Sequence, residues 1–561
     1  MTQTATTEPT GGTRPDMRAQ QIVRLRNRER EAQNTFRRLW QETADLMFPR
    51  ENQITRADTP GTRKRHTVYD ATAIRDSQEM VSGLSGSLIP AGQKFFGLKA
   101  ADPTLAEIDI VQRYMQLAAE RLHEEMFQSN FMLQFNETLR SLVVFGTGNL
   151  YTEWDAKRRA LNYKDYDIAQ YQILEDARGR VETVILTYHL TAQQAETEFG
   201  PENLGDAHSD EILKAASNPD TSQQRFEFIQ IVRRRTERDT LRSDSLNMPF
   251  ESIIVDVKHE RVVREEGFDE FPFAVARWMR SSAEKYGRGQ GTESLADVKM
   301  LQRAMKDFLD CANKWVNPPL EVSGGFDGVV NVTPGALNYT PQKGSIGAID
   351  RGAYGNFPIA EKAIELLRDS VHKAFYRDVF QQLSLLTGDR RTTVEINARL
   401  REALRRLVSP IARLQSELLD PVITRSLKLL IRNGKIPYPP EPLDGKPFGV
   451  EYIGELPLRL REQQSAGLGR LAAFVGEYRD VAPGLADNIQ WDRATRRLAR
   501  AFGVNVNDLA TEEEVQATRQ TRAEAMEEQQ EREAAQAAAQ AYKGTREAPE
   551  AGSPAAELMG A

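Results

Sequence analysis

The sequence predicts an α+β fold that is mainly helical, and three features of the 561-residue chain support this prediction. Two long segments near the middle carry apolar residues at intervals of three and four, the pattern of an amphipathic helix. Between residues 149 and 280, short runs of β-branched and aromatic residues alternate with polar connections, as strands do. A chain of this length can form three or four hydrophobic cores, so we expect several regions.

The two long helices are predicted over residues 292–316 and 358–386, after a glycine-rich run at 286–291. At about 1.5 Å per residue, each would span roughly 37–44 Å. Some forty residues rich in Gly, Val and Pro separate them, which indicates a compact strand-and-turn insert at one end of the pair. A lone helix pair buries little surface, so we expect it to pack against copies of itself. Its apolar positions include Leu295, Val298, Met305, Leu309, Val371 and Leu383.

The first half of the chain is predicted to be a mixed α+β body that follows a disordered arm at residues 1–20. The predicted helices cover 21–47, 70–88, 102–127 and 132–144. The predicted strands cover 95–98, 150–154, 181–190, 226–233, 252–258 and 273–278.

The C-terminal part is predicted to be mostly helical. A helical stretch at 393–433 should be kinked or divided by Pro410 and Pro421. A short strand at 450–453 should return to the body, and a helical pair is expected over 460–478 and 491–502. From residue 511 we expect a solvated helix that gives way to a disordered tail near 543.

Composition excludes several classes of protein. The net charge of −7 argues against a protein whose main work is to grip nucleic acid, although not against one that lets it pass. The single cysteine, Cys311, cannot form an intrachain disulfide. No apolar run approaches the roughly 20 residues that span a bilayer, and the first sixteen residues lack the apolar core of a signal peptide. We therefore expect an intracellular, soluble chain without membrane contact.

The motifs of enzymes are missing from the sequence. There is no G-x-x-x-x-G-K-[ST] phosphate loop, no H-E-x-x-H and no G-x-S-x-G. The run Gly287-Arg288-Gly289-Gln290-Gly291 resembles a dinucleotide loop, but Thr292 stands where the third glycine belongs. We interpret Thr292 as a helix N-cap instead. The sequence therefore predicts no catalytic residues, no cofactor and no metal site.

Two basic loops allow a nucleic-acid interpretation. One carries Arg56 and the run 63–65, which we interpret as solvated or paired with an acidic neighbour. The other consists of Thr387, Gly388, Asp389, Arg390, Arg391 and Thr392, at the end of the second long helix. If several helix pairs surround an axis, this second loop could meet phosphate in the hole. On the residues alone, a plain helix–helix connector is favoured.

The order of several short blocks matches a known family. The blocks are Trp40 with Phe48-Pro49, Tyr69 to Ala73, Leu84, Leu88 and Pro90 with Phe95-Phe96, Ser129-Asn130-Phe131, Phe145 to Tyr151, Phe271-Pro272-Phe273 with Arg277-Trp278, Tyr286 to Gly289, Asn317-Pro318-Pro319, Pro334-Gly335, Thr392 to Ile396 and Val450 to Ile453. Over about residues 24–526 the chain resembles the portal (head-to-tail connector) proteins of short-tailed, podovirus-type bacteriophages. It departs from their pattern at Gly454–Leu458, where a Pro-Leu-Ala-like turn is more usual, and at Phe95, where an aromatic residue such as tryptophan is expected.

The resemblance implies a homo-oligomeric ring, usually of twelve subunits, at one capsid vertex of the virion after assembly in the host cytoplasm. It implies double-stranded DNA in the channel and contacts with terminase, major capsid and scaffolding proteins, and tail adaptor proteins. It also implies a division into regions: wing at 21–285, first stem helix at 286–318, clip at 319–356, second stem helix at 357–386, tunnel loop at 387–395, wing helices and return strand at 396–459, crown helices at 460–510, and a C-terminal helix and tail at 511–561.

In that arrangement residues 387–392 would contact DNA, and the apolar stem positions would form the oligomer interface. We thus expect a DNA channel without catalytic activity. The alternative is a helical adaptor that docks partners through its long helices and forms no channel. A terminase-like nuclease or ATPase is disfavoured because the phosphate loop is missing.

Overall fold

The structure is a computed structural model of the chain, and it describes most of residues 16–453 together with the C-terminal helix. The described residues are 16–51, 53–56, 68–90, 92–102, 104–205, 210–239, 241–242, 244–316, 320–322, 329–331, 337–339, 346–348, 357–380, 406–443, 445–453, 490–492, 495, 510 and 512–545.

Helices dominate this part of the chain. They are α1 (Met17–Ala32), α2 (Asn34–Met47), α3 (Thr72–Leu88), α4 (Asp109–Gln128), α5 (Phe131–Phe145), α6 (Ala192–Phe199), α7 (Pro201–Leu204), α8 (Glu211–Ser217), α9 (Gln290–Glu293), α10 (Leu295–Val316), α11 (Phe357–Ala374), α12 (Val408–Leu414), α13 (Asp420–Arg432) and α14 (Glu512–Thr545).

Twelve strands lie among the described residues. They are β1 (Phe96–Ala100), β2 (Thr147–Asp155), β3 (Ala160–Asp165), β4 (Tyr171–Glu175), β5 (Val181–Thr191), β6 (Arg225–Arg234), β7 (Phe250–Asp256), β8 (Arg261–Phe268), β9 (Phe273–Arg277), β10 (Leu320–Val322), β11 (Ile346–Ala348) and β12 (Phe448–Tyr452). Every pairing between them is antiparallel. The predicted α+β, mainly helical fold is confirmed at this level.

A five-stranded sheet in the order β4-β5-β6-β7-β8 forms one layer of the body. Alternate side chains of a strand point to opposite faces, and here each face has its own helical cover. Ile229 and Ile231 of β6 face α1, where they pack with Ile22. Phe226 and Phe228 face the short helices α6 to α8. The connection between β5 and β6 therefore consists of three short helices that cover one face of the sheet.

The largest core lies between the N-terminal helices, the three-stranded sheet β3-β2-β9 and the helices near residue 420. Trp40 of α2 is fully buried there, and its ring packs edge-on against Tyr286 at 5.1 Å between centroids. The predicted return strand is confirmed, because β12 pairs with β1 from Phe96↔Tyr452 to Ala100↔Phe448. Through this pairing, the C-terminal end of the segment 406–453 packs on the N-terminal half of the chain.

The stretch around Pro410 and Pro421, predicted to be kinked or divided there, is helical without a gap from Val408 to Arg432 and changes only in helix type. A π-helical segment, Gln415–Leu419, lies between α12 and α13. Its Glu417 accepts a hydrogen bond from the guanidinium of Arg277 at 2.9 Å, and Arg277 also pairs with Glu175 of β4. Arg277 is only 3% exposed, and a buried guanidinium requires a carboxylate partner. The π-helical segment supplies one in Glu417.

Several boundaries differ from the predictions. Helix α1 begins at Met17, within the predicted arm of residues 1–20, and the single helix expected over 21–47 is two helices that meet at Gln33. The third predicted helix begins at Asp109 and not at residue 102. The second long helix ends at Ala374, twelve residues before its predicted end. The helical pair at 460–502 lies almost wholly outside the described residues.

Candidate functional site: a two-helix arm and its anchorage

The helices α10 and α11 form an arm, and they run in opposite directions. Ser370, near the end of α11, donates a hydrogen bond to Asp297, near the start of α10, at 2.8 Å. At 22 and 18 residues the helices are about 33 and 27 Å long, which is shorter than predicted. At the far end of the arm β10 pairs with β11 from Leu320↔Ala348 to Val322↔Ile346. This pair agrees with the predicted strand-containing insert.

Burial changes along the arm. At its base Leu295, Val298 and Val371 are buried in the main core of this same chain. Met305 is half-buried against that core. Beyond it Leu309 is 42% exposed. The apolar stripe of the arm is therefore covered by the body at one end and open to solvent at the other.

A buried polar contact anchors both arm helices to the residues that precede α3. The side-chain amide oxygen of Gln302 on α10 accepts hydrogen bonds from the backbone N–H groups of Tyr69 (2.7 Å) and Asp70 (3.0 Å). Its amide nitrogen donates to the carbonyl oxygen of Asp70 at 2.6 Å. Arg368 on α11 donates from Nε and Nη2 to the Asp70 carboxylate at 3.0 and 2.8 Å. One short segment thus holds both helices.

The charge on Asp70 is stabilised in this arrangement. Burial would raise the pKa of the Asp70 carboxyl group, but hydrogen bonds from Thr72 and Arg368 outweigh it and lower that pKa. Asp70 is 5% exposed, so loss of Arg368 would leave a buried carboxylate without its cation.

The glycine-rich run 286–291 packs against the last turn of α5. A Cβ atom at Gly289 would lie 2.5 Å from the carbonyl oxygen of Val143, and one at Gly291 would lie 2.6 Å from that of Val144. At Gly287 it would overlap the carbonyl oxygen of Gly146, whose own φ is +92°. Because these glycines have no Cβ atom, the backbone of residues 287–291 can touch the backbone at the end of α5. Close packing therefore accounts for the glycines, and no dinucleotide is needed to explain them.

The prediction that Thr292 caps a helix is wrong. The helix of this run begins at Gln290, its N-cap is Gly289, and no side chain caps it. The Thr292 hydroxyl donates to the carbonyl oxygen of Gly289 at 2.8 Å. Only glycine can approach α5 at position 289. The N-cap residue of this helix therefore has no side chain that could accept a hydrogen bond from its first N–H groups.

Of the residues predicted to form the subunit interface and the DNA contact, those that the structure describes lie in different places. Leu295, Val298 and Val371 lie at the base of the arm within the subunit, whereas Met305 and Leu309 lie farther along it. Leu383 and the basic run 387–392 are outside the described residues. A role in subunit contacts stays a prediction, and within the described arm Met305 and Leu309 are the predicted positions that remain available for it.

Sequence reasoning missed the anchorage by Gln302, Asp70 and Arg368. One signal was present for Gln302. The positions 295, 298, 302, 305 and 309 continue a single pattern of threes and fours, and Gln302 is the polar residue within it. A polar side chain on an apolar stripe needs a buried partner, but the sequence does not say which.

An open cleft of about 970 Å³ lies between the five-stranded sheet, the strands β2 and β3, and α13. Tyr151, Tyr188 and Phe268 line it. Its charged groups are largely paired with each other or with neighbours: Arg264 meets Glu198 at 3.1 Å and Arg432 meets Asp269 at 2.8 Å. The cleft therefore indicates no particular ligand.

Neither a metal site nor a membrane-spanning helix is found among the described residues. Among them no three His, Cys, Asp or Glu side chains are grouped so that they could hold a metal ion. None of the helices described is both long and apolar enough to cross a membrane.

Comparison with known proteins places the chain in a family. The sequence pattern of the family described as bacteriophage head to tail connecting protein matches residues 19–509. A portal protein of Salmonella phage epsilon15 is 25% identical over 514 residues, which are 90% of this chain and 90% of that protein. A probable portal protein of Bordetella phage BPP-1 is 23% identical over 493 residues, which are 86% and 87% of the two chains. Because the family match spans most of its length, this chain belongs to the bacteriophage head to tail connecting proteins.

Proposed function

We propose that the chain is a phage portal protein that forms a ring-shaped channel for double-stranded DNA at one vertex of the capsid. The observation that carries the proposal is the family match over residues 19–509, which extends across the body and the arm together. The likeness to two portal proteins over nine-tenths and more than four-fifths of the chain supports the same role. Family membership also confirms that the chain is not an enzyme.

The open part of the arm supports assembly into a ring. Leu309 on α10 is 42% exposed, and Ile359 and Leu366 on α11 are 66% and 65% exposed. Solvent-exposed apolar side chains along one projecting element are a liability in a monomer. A neighbouring copy would bury them, and a repeated head-to-tail contact of this kind closes into a ring. We expect about twelve subunits from the resemblance to portal proteins.

The regions would divide as the resemblance implies. The body would be the wing, α10 and α11 the stem, and the segment with β10 and β11 the clip. Residues 387–395 would be the tunnel loop and 460–510 the crown. The clip would dock the terminase during packaging and tail adaptor proteins afterwards, while the wing would meet major capsid and scaffolding proteins.

A conduit must not bind the DNA that it conducts, so a channel wall that repels phosphate would lower the friction of sliding DNA. The net charge of −7 per subunit is compatible with such a wall. Arg390 and Arg391 would give a few salt-dependent contacts per subunit. Replacement of both by alanine should leave the ring intact and impair packaging or retention of DNA, which can be measured as DNA content per capsid. Full, stable heads in that variant would remove the basic loop from the proposal.

The first test is the mass of the purified particle by mass photometry, followed by negative-stain imaging. We expect a species near twelve times the 63.3 kDa chain, with a central hole. The variant Leu309→Asp should shift this species toward smaller assemblies, because it places a charge on the face that a neighbour covers. A monomer or dimer for the unmodified chain at high concentration would favour the adaptor alternative.

The matched control for that variant is Leu241→Asp. Leu241 is 93% exposed in the connection between β6 and β7, far in sequence from the arm. Its replacement should leave the ring unchanged. Equal loss of assembly in both variants would mean that the arm is not the specific contact.

A further inference from the structure

The second arm helix is broken before the chain leaves the described part of the arm. α11 ends at Ala374, residues 375 and 376 form a turn, and residues 377–380 are helical again. Tyr376 has φ +54°, which is the left-handed region that non-glycine residues avoid. The amide groups of Val379 and Phe380 both donate to the carbonyl oxygen of Tyr376, at 3.0 and 3.2 Å, so a new helical turn starts there.

Nothing in the local sequence requires this break. The run Lys373-Ala374-Phe375-Tyr376-Arg377 contains neither glycine nor proline, the usual causes of a sharp kink. A left-handed tyrosine costs about 1–3 kcal/mol and persists only where the surroundings impose it. The contacts that impose it must therefore come from outside the helix.

Asp76 on α3 contacts both sides of the break. Its Oδ2 accepts a hydrogen bond from Nδ1 of His372 at 2.6 Å, and its Oδ1 accepts one from Nη1 of Arg377 at 3.4 Å. Asp76 is 1% exposed, and burial raises the pKa of its carboxyl group against the effect of His372. In a continuous helix, residues five apart point about 140° away from each other. The break turns Arg377 toward the side of His372, where both side chains reach one carboxylate.

A second contact on the same face of α3 holds the turn that follows. The ring of Phe380 lies directly on Gly83, so that a Cβ atom at position 83 would overlap the ring. Between the two contacts Glu79 pairs with Nε of Arg377 at 3.2 Å. Positions 76, 79 and 83 are spaced by three and four, so they lie on one side of α3. This side of α3 therefore contacts the segment 372–380 at its beginning, middle and end.

We propose that Asp76 and Gly83 form a latch on α3 that holds the second arm helix in its broken form, and that the latch sets the direction in which the chain leaves Phe380. The part about direction rests on the proposed function, since the chain beyond Phe380 leads to the basic run 387–392. Asp76 and Gly83 are then positioning residues, because they act through the segment 372–380 and need not touch DNA.

Hydrogen–deuterium exchange on the assembled particle tests the latch. Gly83→Ala should raise exchange in the peptide that covers 377–380 by about tenfold, because the added methyl group displaces Phe380. Asp76→Asn should raise it as well, since it removes the charge that Arg377 and His372 share. Gly86→Ala is the matched control: it lies on the same helix, and a Cβ there meets nothing within 4 Å. Unchanged exchange in Gly83→Ala would overturn the latch.

A double variant separates a specific contact from general damage. Phe380→Ala removes the ring that Gly83 receives, so Gly83→Ala should add little exchange in that background. Additive effects of the two changes would mean that Gly83 and Phe380 do not act through each other. This outcome would also overturn the latch.

DNA content per capsid tests the positioning role. Gly83→Ala and Asp76→Asn should reduce it while Gly86→Ala does not, and the rings should keep their mass. Normal DNA content in the latch variants, with a defect in Arg390→Ala/Arg391→Ala, would overturn the positioning role. Normal content in all of them would count against the proposed DNA contact of the basic loop. The exchange measurement needs no DNA, so it decides the latch in either case.

Discussion

His123 on α4 should make the fold sensitive to mild acid. The residue is 4% exposed, and its ring stacks on Phe96 with 4.0 Å between centroids. Nδ1 lies 2.7 Å from the carbonyl oxygen of Ala119, and Nε2 lies 3.2 Å from the backbone nitrogen of Phe95. A carbonyl oxygen can only accept and a backbone N–H can only donate. The imidazole must therefore be neutral, with its hydrogen on Nδ1.

Protonation of this ring would place a second hydrogen on Nε2, against the N–H of Phe95. Burial lowers the pKa of His123 from 6.5 to about 4, against the raising effect of the Ala119 carbonyl. Between these two values the unfolded chain binds more protons than the folded chain, so stability falls as the pH falls. From pH 7.5 to pH 4.5 the loss is about 2.5 kcal/mol, given about 1.4 kcal/mol for each pKa unit.

The measurement is the urea midpoint of the unmodified chain and of His123→Gln at pH 7.5, 6.0 and 4.5. Glutamine keeps a donor and an acceptor but does not titrate in this range, so the stability difference between the two proteins should shrink by about 2.5 kcal/mol on acidification. Other groups titrate too, and the difference between variants removes their shared contribution. His189→Gln, which alters an exposed ring on β5, is the control. Parallel pH profiles for the unmodified chain and His123→Gln would refute the reasoning.

Two further predictions concern the body. Burial, followed by the nearby Asp167 and Asp165, raises the pKa of Glu51 from 4.5 to about 8, so the stability that this group contributes at acid pH is lost as the pH rises through 8. Glu51→Gln should therefore gain in melting temperature over the unmodified chain between pH 6 and pH 9, and a constant gap would contradict this. Gly289→Ala should lower the free energy of unfolding by about 2 kcal/mol through its collision with Val143. Gly86→Ala should be neutral or slightly stabilising, and equal urea midpoints for the two alanine variants would refute the packing role of Gly289.

Elements with a strong periodic pattern could be predicted from the sequence. α3, α5 and β5 lie within a few residues of their expected positions. The strand near residue 450 also pairs with the body as predicted, through β1. These elements are specified by local pattern, so local reasoning finds them.

Three strands of the body were missed, and β8 shows why. Its sequence Arg261 to Phe268 is rich in charge and suggests an exposed connection. In the fold its Glu265 accepts hydrogen bonds from Arg18 of α1 at 2.7 Å and from Arg235 at 3.2 Å. The charges of β8 are thus satisfied by residues distant in sequence. A propensity scale cannot see such partners.

The early end of α11 could not be predicted for the same kind of reason. The segment around Tyr376 has good helix-forming neighbours and no breaking residue. The break depends on Asp76, some three hundred residues earlier in the chain. Contacts between such distant positions override local preference, and they concentrate where a structure holds a functional geometry.

The arm shows a limit of periodicity itself. A stripe of apolar residues at threes and fours reports that one side of a helix is covered, but not by what. From Leu295 to Leu309 the stripe is a single pattern, yet the body of the same chain covers its first half and leaves Leu309 open. The residues at the base fix the direction of the arm, and Leu309 is available to a partner. A substitution at Val298 should therefore damage folding, whereas one at Leu309 should damage assembly, and only the second effect reports on a ring.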